Sequence, residues 1–364
     1  MEGFSDPYRD FALPGGIRET GFMRVWGAML RRNVRQAYDI GAMPRTHPLR
    51  DGFWESLTPD LSQIDVPMLV CGSFSDQALH SRGSMHVFVT SGSAHARLYT
   101  HRGGKWSTFY SDDALAEQLT FIRGVLDDTE PARRSVRLEV REDATTIHAV
   151  REESEWPLAR TVWRPLYLSA PGALADGPPE AGGHVTFPNR SRAAAFTFTF
   201  AEDTELSGPM SAQLWIEAIG CDDANLFVGM EKWCNGRPVP FEGSYGYGRD
   251  RVATGWQRAA LRRLDGSRSR PWETVPTCTD PQPLSRGEIV AVDVALGPSA
   301  TLFRAGEQLR LLVASRWLAP ANPLFGSFPS RYTASPRGNV TLHWGPERPA
   351  HLLVPQIPGR GSEL

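Results

Sequence analysis

No run of about 18 apolar residues occurs anywhere in the sequence, so nothing in it reads as a membrane-spanning helix. The opening residues also lack the basic, apolar and small-residue segments of a secretory leader, and a cytoplasmic location is the expectation. Neither sign of charge is in excess. Lys and Arg number 39 against 41 Asp and Glu, a net charge of −2, and no basic stripe follows a phosphate backbone or an anionic lipid surface. Nucleic acid and membranes are therefore not expected partners. Cysteine is scarce: Cys71, Cys221, Cys234 and Cys278 are too few and too irregularly spaced for a disulfide framework or a zinc knuckle. They are expected to be reduced and mostly buried, with Cys221 and Cys234 the one pair whose bridging is worth testing. No metal and no cofactor is expected. Internal repeats and low-complexity tracts are absent as well.

What the chain does have is length and apolar content. Its 364 residues, 41% of them hydrophobic, can bury at least one large core, as two domains or one large one. The pattern changes near residue 130. In VPMLVCGSF (66–74) a nearly continuous apolar run passes through Ser75 and Asp76 into a helical stretch, DQALHSRGSMHVFV. ARLYTH (96–101) is a second short strand. SDDALAEQLTFIRGVLDD (111–128) then sets Leu115, Leu119, Ile122 and Leu126 at helical spacing behind an acidic start that suits the helix dipole. Strand, helix, strand, helix predicts parallel pairing. Ahead of these, RETGFMRVWGAMLRRNVRQAYDIGAM reads as mostly helical and amphipathic, with Phe22, Trp26, Leu30, Val34 and Tyr38 on roughly one face. After Pro131 come short alternating runs broken by Gly, Pro, Asp and Asn: VRLEVRE, AAFTFTFA, SAQLWIEAIG, NLFVGMEKW, EIVAVDVAL, QLRLLVAS and GNVTLHW. They predict an all-β sandwich, with PGALADGPPEAGG (171–183) as a long surface loop.

Several motifs stand in a fixed order: GFSDPYRDFALPGGI (3–17), HPLRDGFWESLTPDLSQIDVPMLVCGSFSD (47–76), LYTHRGGKWSTFYS (98–111), and a β-rich tail holding ELSGPMSAQLWIEA and FRAGEQLRLLVAS. The chain resembles the CocE/NonD acyl-esterase family, serine hydrolases whose α/β-hydrolase domain is followed by a jelly-roll domain shared with X-Pro dipeptidyl-peptidases. The resemblance implies a fold that is α/β plus all-β: the C-terminal part of an α/β-hydrolase domain over residues 1–130, with a helical cap at about 11–64, then a jelly-roll β-sandwich over 131–364. It implies an ester or amide substrate of small size. In the family the segment like EGFSDPYRD follows the strand after the nucleophile helix. Met1 then falls in mid-fold, and the early sheet strands, an oxyanion-hole residue and the G-x-S-x-G elbow belong upstream. A missing N-terminal segment or chain is thereby an expected partner, and many relatives self-associate, which leaves a homo-oligomer open.

A serine hydrolase needs an exposed nucleophile, an imidazole that takes its proton, and a carboxylate that fixes the imidazole tautomer. In α/β-hydrolases the chain order is Ser, acid, His. Asp76 follows the strand 66–74 where the family's acid sits, and His101 ends the strand 96–100 before a Gly-rich loop. The plain alternatives are an Asp that merely caps a helix and a solvated loop histidine; the family motifs favour an inherited acid and base. No G-x-S-x-G occurs. Ser5 and Ser73 lack the second glycine, Ser244 has Glu242 where the first should be, and all three lie in the wrong place for an elbow. The chain is thus expected to hold no nucleophile. By resemblance Phe11 and Trp26 line the acyl pocket, and Trp317, Leu324, Phe325 and Phe328 lie where the jelly roll faces it.

Overall fold

The computed structural model describes residues 3–77, 79–129, 131–190, 193–243, 249–318 and 331–359. Ser244, Leu324, Phe325 and Phe328 lie outside them. Among the described residues six α-helices, all before residue 130, precede most of the strands: Phe22–Asn33 (α1), Met43–Thr46 (α2), Gly52–Ser56 (α3), Ser81–Thr90 (α4), Lys105–Phe109 (α5) and Asp112–Leu126 (α6). Strands Met68–Ser73 (β1), Ala96–His101 (β2) and Arg134–Arg141 (β3) pair in parallel, each linked to the next by helix. This is the parallel order that the alternating pattern predicts. Ile147–Glu153 (β4) returns antiparallel on β3. The change of pattern at Pro131 does not interrupt the sheet, because β3 continues it and touches the β-rich part at Arg141 and Thr301. The apolar faces of these strands share one core, with Phe74, Phe88, Leu98, Leu138 and Leu302 all buried.

The remaining strands are Val162–Ala170 (β5), Ala173–Ala175 (β6), Gly183–Pro188 (β7), Ala194–Thr199 (β8), Thr204–Ile219 (β9), Asn225–Cys234 (β10), Arg237–Val239 (β11), Phe241–Glu242 (β12), Arg249–Asp250 (β13), Ala253–Arg258 (β14), Ile289–Phe303 (β15), Gln308–Ala314 (β16), Asn339–Trp344 (β17) and His351–Ile357 (β18). Hydrogen-bonded neighbours close on themselves in the order β15-β14-β10-β16-β8-β6-β5-β18-β9 and back to β15. Closure hides the edges that open sheets expose. The ring encloses the largest core of the molecule, which includes Met210, Leu214, Leu226, Met230, Val292, Leu311 and Leu352. In the ladders that β9 makes with β15 and β18, the register shifts between Leu296 and Ser299 and between Leu353 and Gln356, and each of these shifts falls on a proline, Pro298 or Pro355. Bulges are where a strand tolerates the missing N–H. At Gly255 a Cβ would stand 2.2 Å from the Ala295 carbonyl oxygen, so β14 reaches β15 only through glycine.

Three sequence expectations need correcting. The 171–183 stretch is not all loop: Gly172, at φ +81°, makes the tight turn that lets β6 pair antiparallel with β5 and touch β8 in parallel. The long amphipathic helix stops at Asn33, and Val34 and Tyr38 are exposed beyond it. Asp39 is the cause, accepting hydrogen bonds from Arg31 Nη1 at 3.0 and 3.2 Å and from Gly41 N at 2.9 Å, which fold residues 34–41 back on α1. The four cysteines are free thiols, as expected, but they are not mostly buried: Cys278 is, whereas Cys71, Cys221 and Cys234 are half-buried.

The start of α1 is held by a side chain outside it. Buried Glu19 accepts from the N–H groups of Gly21, Phe22 and Met23 at 2.7 to 2.9 Å, and from that of Arg331 at 3.0 Å. The carboxylate satisfies the helix's orphan donors and ties the helical segment to residue 331. Glu19→Ala should lower stability by about 2 kcal/mol, since charge-assisted bonds to buried donors are lost. Thermal unfolding checks this, and Glu19→Gln should recover part of the loss.

Candidate active site

In parallel sheets the loops at the carboxyl ends of the strands carry ligands and chemistry, because helices cover the faces. Both sequence-chosen catalytic residues lie at such ends. The β1–β2 ladder runs in register to Ser73 opposite His101, and Phe74 N–H donates to the His101 carbonyl at 2.8 Å. Asp76 is 2% exposed and His101 is 1% exposed. The helix α4 starts after His80 without a side-chain cap, and the Asp76 carbonyl accepts from the N–H groups of Leu79, His80 and Ser81. Asp76 Oδ2 accepts from Lys105 Nζ at 3.0 Å, giving the buried carboxylate a counter-charge. His101 Nδ1 lies 3.2 Å from the Gly103 carbonyl, which also accepts from Ser75 Oγ at 3.2 Å. One carbonyl thus links the loop of the acid to the loop of the base.

A second link comes from the ring. Gln77, next to Asp76, donates through Nε2 to the carbonyls of Arg251 and Val252 at 3.0 and 3.3 Å, and accepts from Thr254 Oγ1 at 2.8 Å. Arg102, next to His101, donates to the same two carbonyls at 2.7 and 3.2 Å and to Ser299 Oγ at 3.0 Å, with its guanidinium 3.8 Å from the Phe241 ring centre. Burial pulls the Arg102 guanidinium down to about 9, and burial pushes the neighbouring Asp250 carboxyl up. The sequence reading misses Gln77, Arg102, Lys105 and the 251–254 segment. Adjacency to Asp76 and His101 could have flagged the first two; nothing local marks the segment.

The pocket candidates sit in the helical segment's own core. Phe11 is 3% exposed and its ring packs on Trp26 at 5.3 Å, Phe22 at 5.5 Å and Phe4 at 5.6 Å between centroids. Phe4 in turn stacks on His80 at 6.3 Å, so one aromatic run extends from Trp26 to the turn after Asp76. Trp317 packs apart from them, against Phe227, Trp256 and Tyr332. Ser73 is buried and bonds Ser75 Oγ at 2.9 Å, and Ser5 Oγ donates to Asp10 at 2.8 Å. Both hydroxyls hold turns. Among the described residues no group of three or more His, Cys, Asp or Glu could hold a metal ion, and no helix is long and apolar enough to cross a membrane.

Residues 131–353 match the family model of the X-Pro dipeptidyl-peptidase C-terminal non-catalytic domain. The structure overlays a CocE/NonD family hydrolase from Staphylococcus aureus with a TM-score of 0.92 at 30% identity, covering 98% of this chain and 66% of that one. The chain belongs to the CocE/NonD hydrolase family. Cocaine esterase of Rhodococcus sp. (strain MB1 Bresler) is 22% identical over 385 residues, 85% of this chain and 60% of that protein. An α-amino acid ester hydrolase shares the fold at a TM-score of 0.58 and 16% identity, over 98% of this chain and 65% of its own. The chain spans less than two thirds of the length of each of these relatives.

Proposed function

We propose that this chain supplies the acid and the base of a CocE/NonD serine hydrolase acting on small esters or amides. The observation that carries the reading is the pair of buried residues, Asp76 and His101, at the carboxyl ends of adjacent parallel strands, with both loops bound to one backbone segment. In this role His101 takes the proton of a serine hydroxyl as that oxygen attacks the substrate carbonyl, then gives it to the departing alcohol or amine. Water deprotonated by His101 releases the acyl group and restores the serine. Asp76 orients the imidazole and stabilises its cation. Phe11 and Trp26 are the proposed walls of the acyl pocket, residues 11–64 its helical cap, and the closed strand ring the jelly roll.

The serine is proposed to come from a segment like the additional length of the relatives, upstream or as a separate chain, because no G-x-S-x-G occurs here. Two features suit such a segment. Among the described residues β1 has a strand on one side alone. On α6 the apolar stripe points outward: Leu115, Leu119, Ile122 and Leu126 are 39%, 51%, 52% and 79% exposed, while Ala114 and Phe121 face the core. An unpaired parallel strand beside an uncovered apolar helix is an incomplete α/β layer.

A fluorophosphonate probe tests the reading. The chain alone should remain unlabelled, and fusion to a nucleophile-bearing segment should bring labelling and ester turnover. L119D/I122D should reduce both while leaving the ring folded. The alternative, a binding module centred on the ring, has its own support in the ring's self-contained core; it gains if fusion restores folding but no labelling.

A further inference from the structure

A cleft of about 530 Å³ opens between the helical segment and the strand ring. Four arginines line it, each from a different part of the chain: Arg18 before α1, Arg45 on α2, Arg190 after β7, and Arg258 at the end of β14. Asp223 is the one acidic residue of the lining. Its carboxylate is already engaged, accepting from Arg258 Nε at 2.6 Å and from the N–H groups of Ala224 and Ala260 at 2.8 and 2.9 Å. Arg190 donates twice to the Ser335 carbonyl, at 3.3 and 3.0 Å. Among the described residues Arg18, Arg45 and Arg190 make no ion pair, and the buried Nε of Arg18 meets no acceptor.

We propose that this cleft binds a small oxyanion, a phosphate or carboxylate group, and that the bound anion joins the helical segment to the ring. Three guanidinium charges facing one cavity repel one another, and low-dielectric walls strengthen that repulsion; an oxyanion reverses its sign. The planar forks of arginine match the two-oxygen edge of such a group. The volume lies within the range of small-molecule sites. Arg18 and Arg45 belong to the helical side and Arg190 and Arg258 to the ring side, so a ligand that engages both sides resists their separation.

Titration calorimetry and thermal unfolding of the full chain, with inorganic phosphate and with succinate against sodium chloride at matched ionic strength, test this. A saturable heat and a saturable rise in Tm are expected with at least one of the two anions, and the stronger one identifies the group. Arg45 and Arg190 are exposed, so R45Q and R190Q should leave the chain folded while each weakens binding about tenfold or more. No saturable response to either anion, or a response that R45Q/R190Q leaves intact, overturns the proposal.

Discussion

His101→Ala should lower turnover on the order of 10⁴-fold or more in the protein completed by a nucleophile-bearing segment. The size follows from the division of labour: without the imidazole the serine keeps its proton through the attack, and the leaving group departs unprotonated. Asp76→Asn should cost a comparable factor, because an amide at that position favours the wrong tautomer. Gln77→Ala should cost about a hundredfold or less, acting through misplacement of the acid loop rather than loss of a reacting group. Trp26→Ala should mainly raise KM, since a pocket wall binds ground and transition states alike. Steady-state kinetics on a chromogenic ester separates these. Full activity after loss of His101 would move the active site elsewhere.

The parts of this site that can be read in one dimension are those whose signal is local. The apolar run ending at Gly72 and the Ser-Asp that follows announce a strand, a turn and a helix, and β1, Asp76 and α4 appear in that order. The alternating runs after Pro131 become β3, β8, β9, β10, β15, β16 and β17 because a two-residue period leaves one face for a core. Helical spacing on α6 was equally legible, yet it could not say that the stripe at Leu119 and Ile122 faces outward, since a period carries no direction. Gln77 and Arg102 reach backbone about 150 residues or more away, and a carbonyl acceptor has no side-chain identity for a sequence to display. The strand β6 was hidden for a related reason: its three residues are ordered by partners, not by propensity.

Lys232→Met should destabilise the fold by about 3–5 kcal/mol. Lys232 is 2% exposed on β10; its Nζ donates to the carbonyls of Leu302 and Glu142 at 2.7 and 2.9 Å and pairs with Glu307 Oε2 at 2.7 Å. The ammonium thus saturates three acceptors where β15 ends and the turn to β16 begins. A methionine of similar length keeps the packing against Phe303 but strands a half-enclosed carboxylate and two carbonyls. Removing one partner of a buried pair costs more than removing both, so K232M/E307Q should recover part of the loss. Denaturant unfolding gives the comparison. A loss below about 1 kcal/mol would mean that the Glu307 carboxylate turns out to water.

The closed ring also bears on synthesis. Its two longest strands, β9 and β15, pair residues as far apart as Thr204 and Phe303, and the last gap, between β9 and β5, is filled by His351–Ile357. A ribosome delivers residues in order, so Asp76 and His101 emerge long before the Arg251–Thr254 backbone that anchors their loops, and the barrel waits longer still for its final stave. During that interval the outward stripe of α6 and the bare side of β1 are accompanied by an unclosed ring, a nascent state rich in sticky surface. Trigger-factor-like or Hsp70-like holdases that shield apolar segments should therefore bind chains arrested near residue 300 more than chains extended past residue 357, a comparison that ribosome-bound stalled chains make possible.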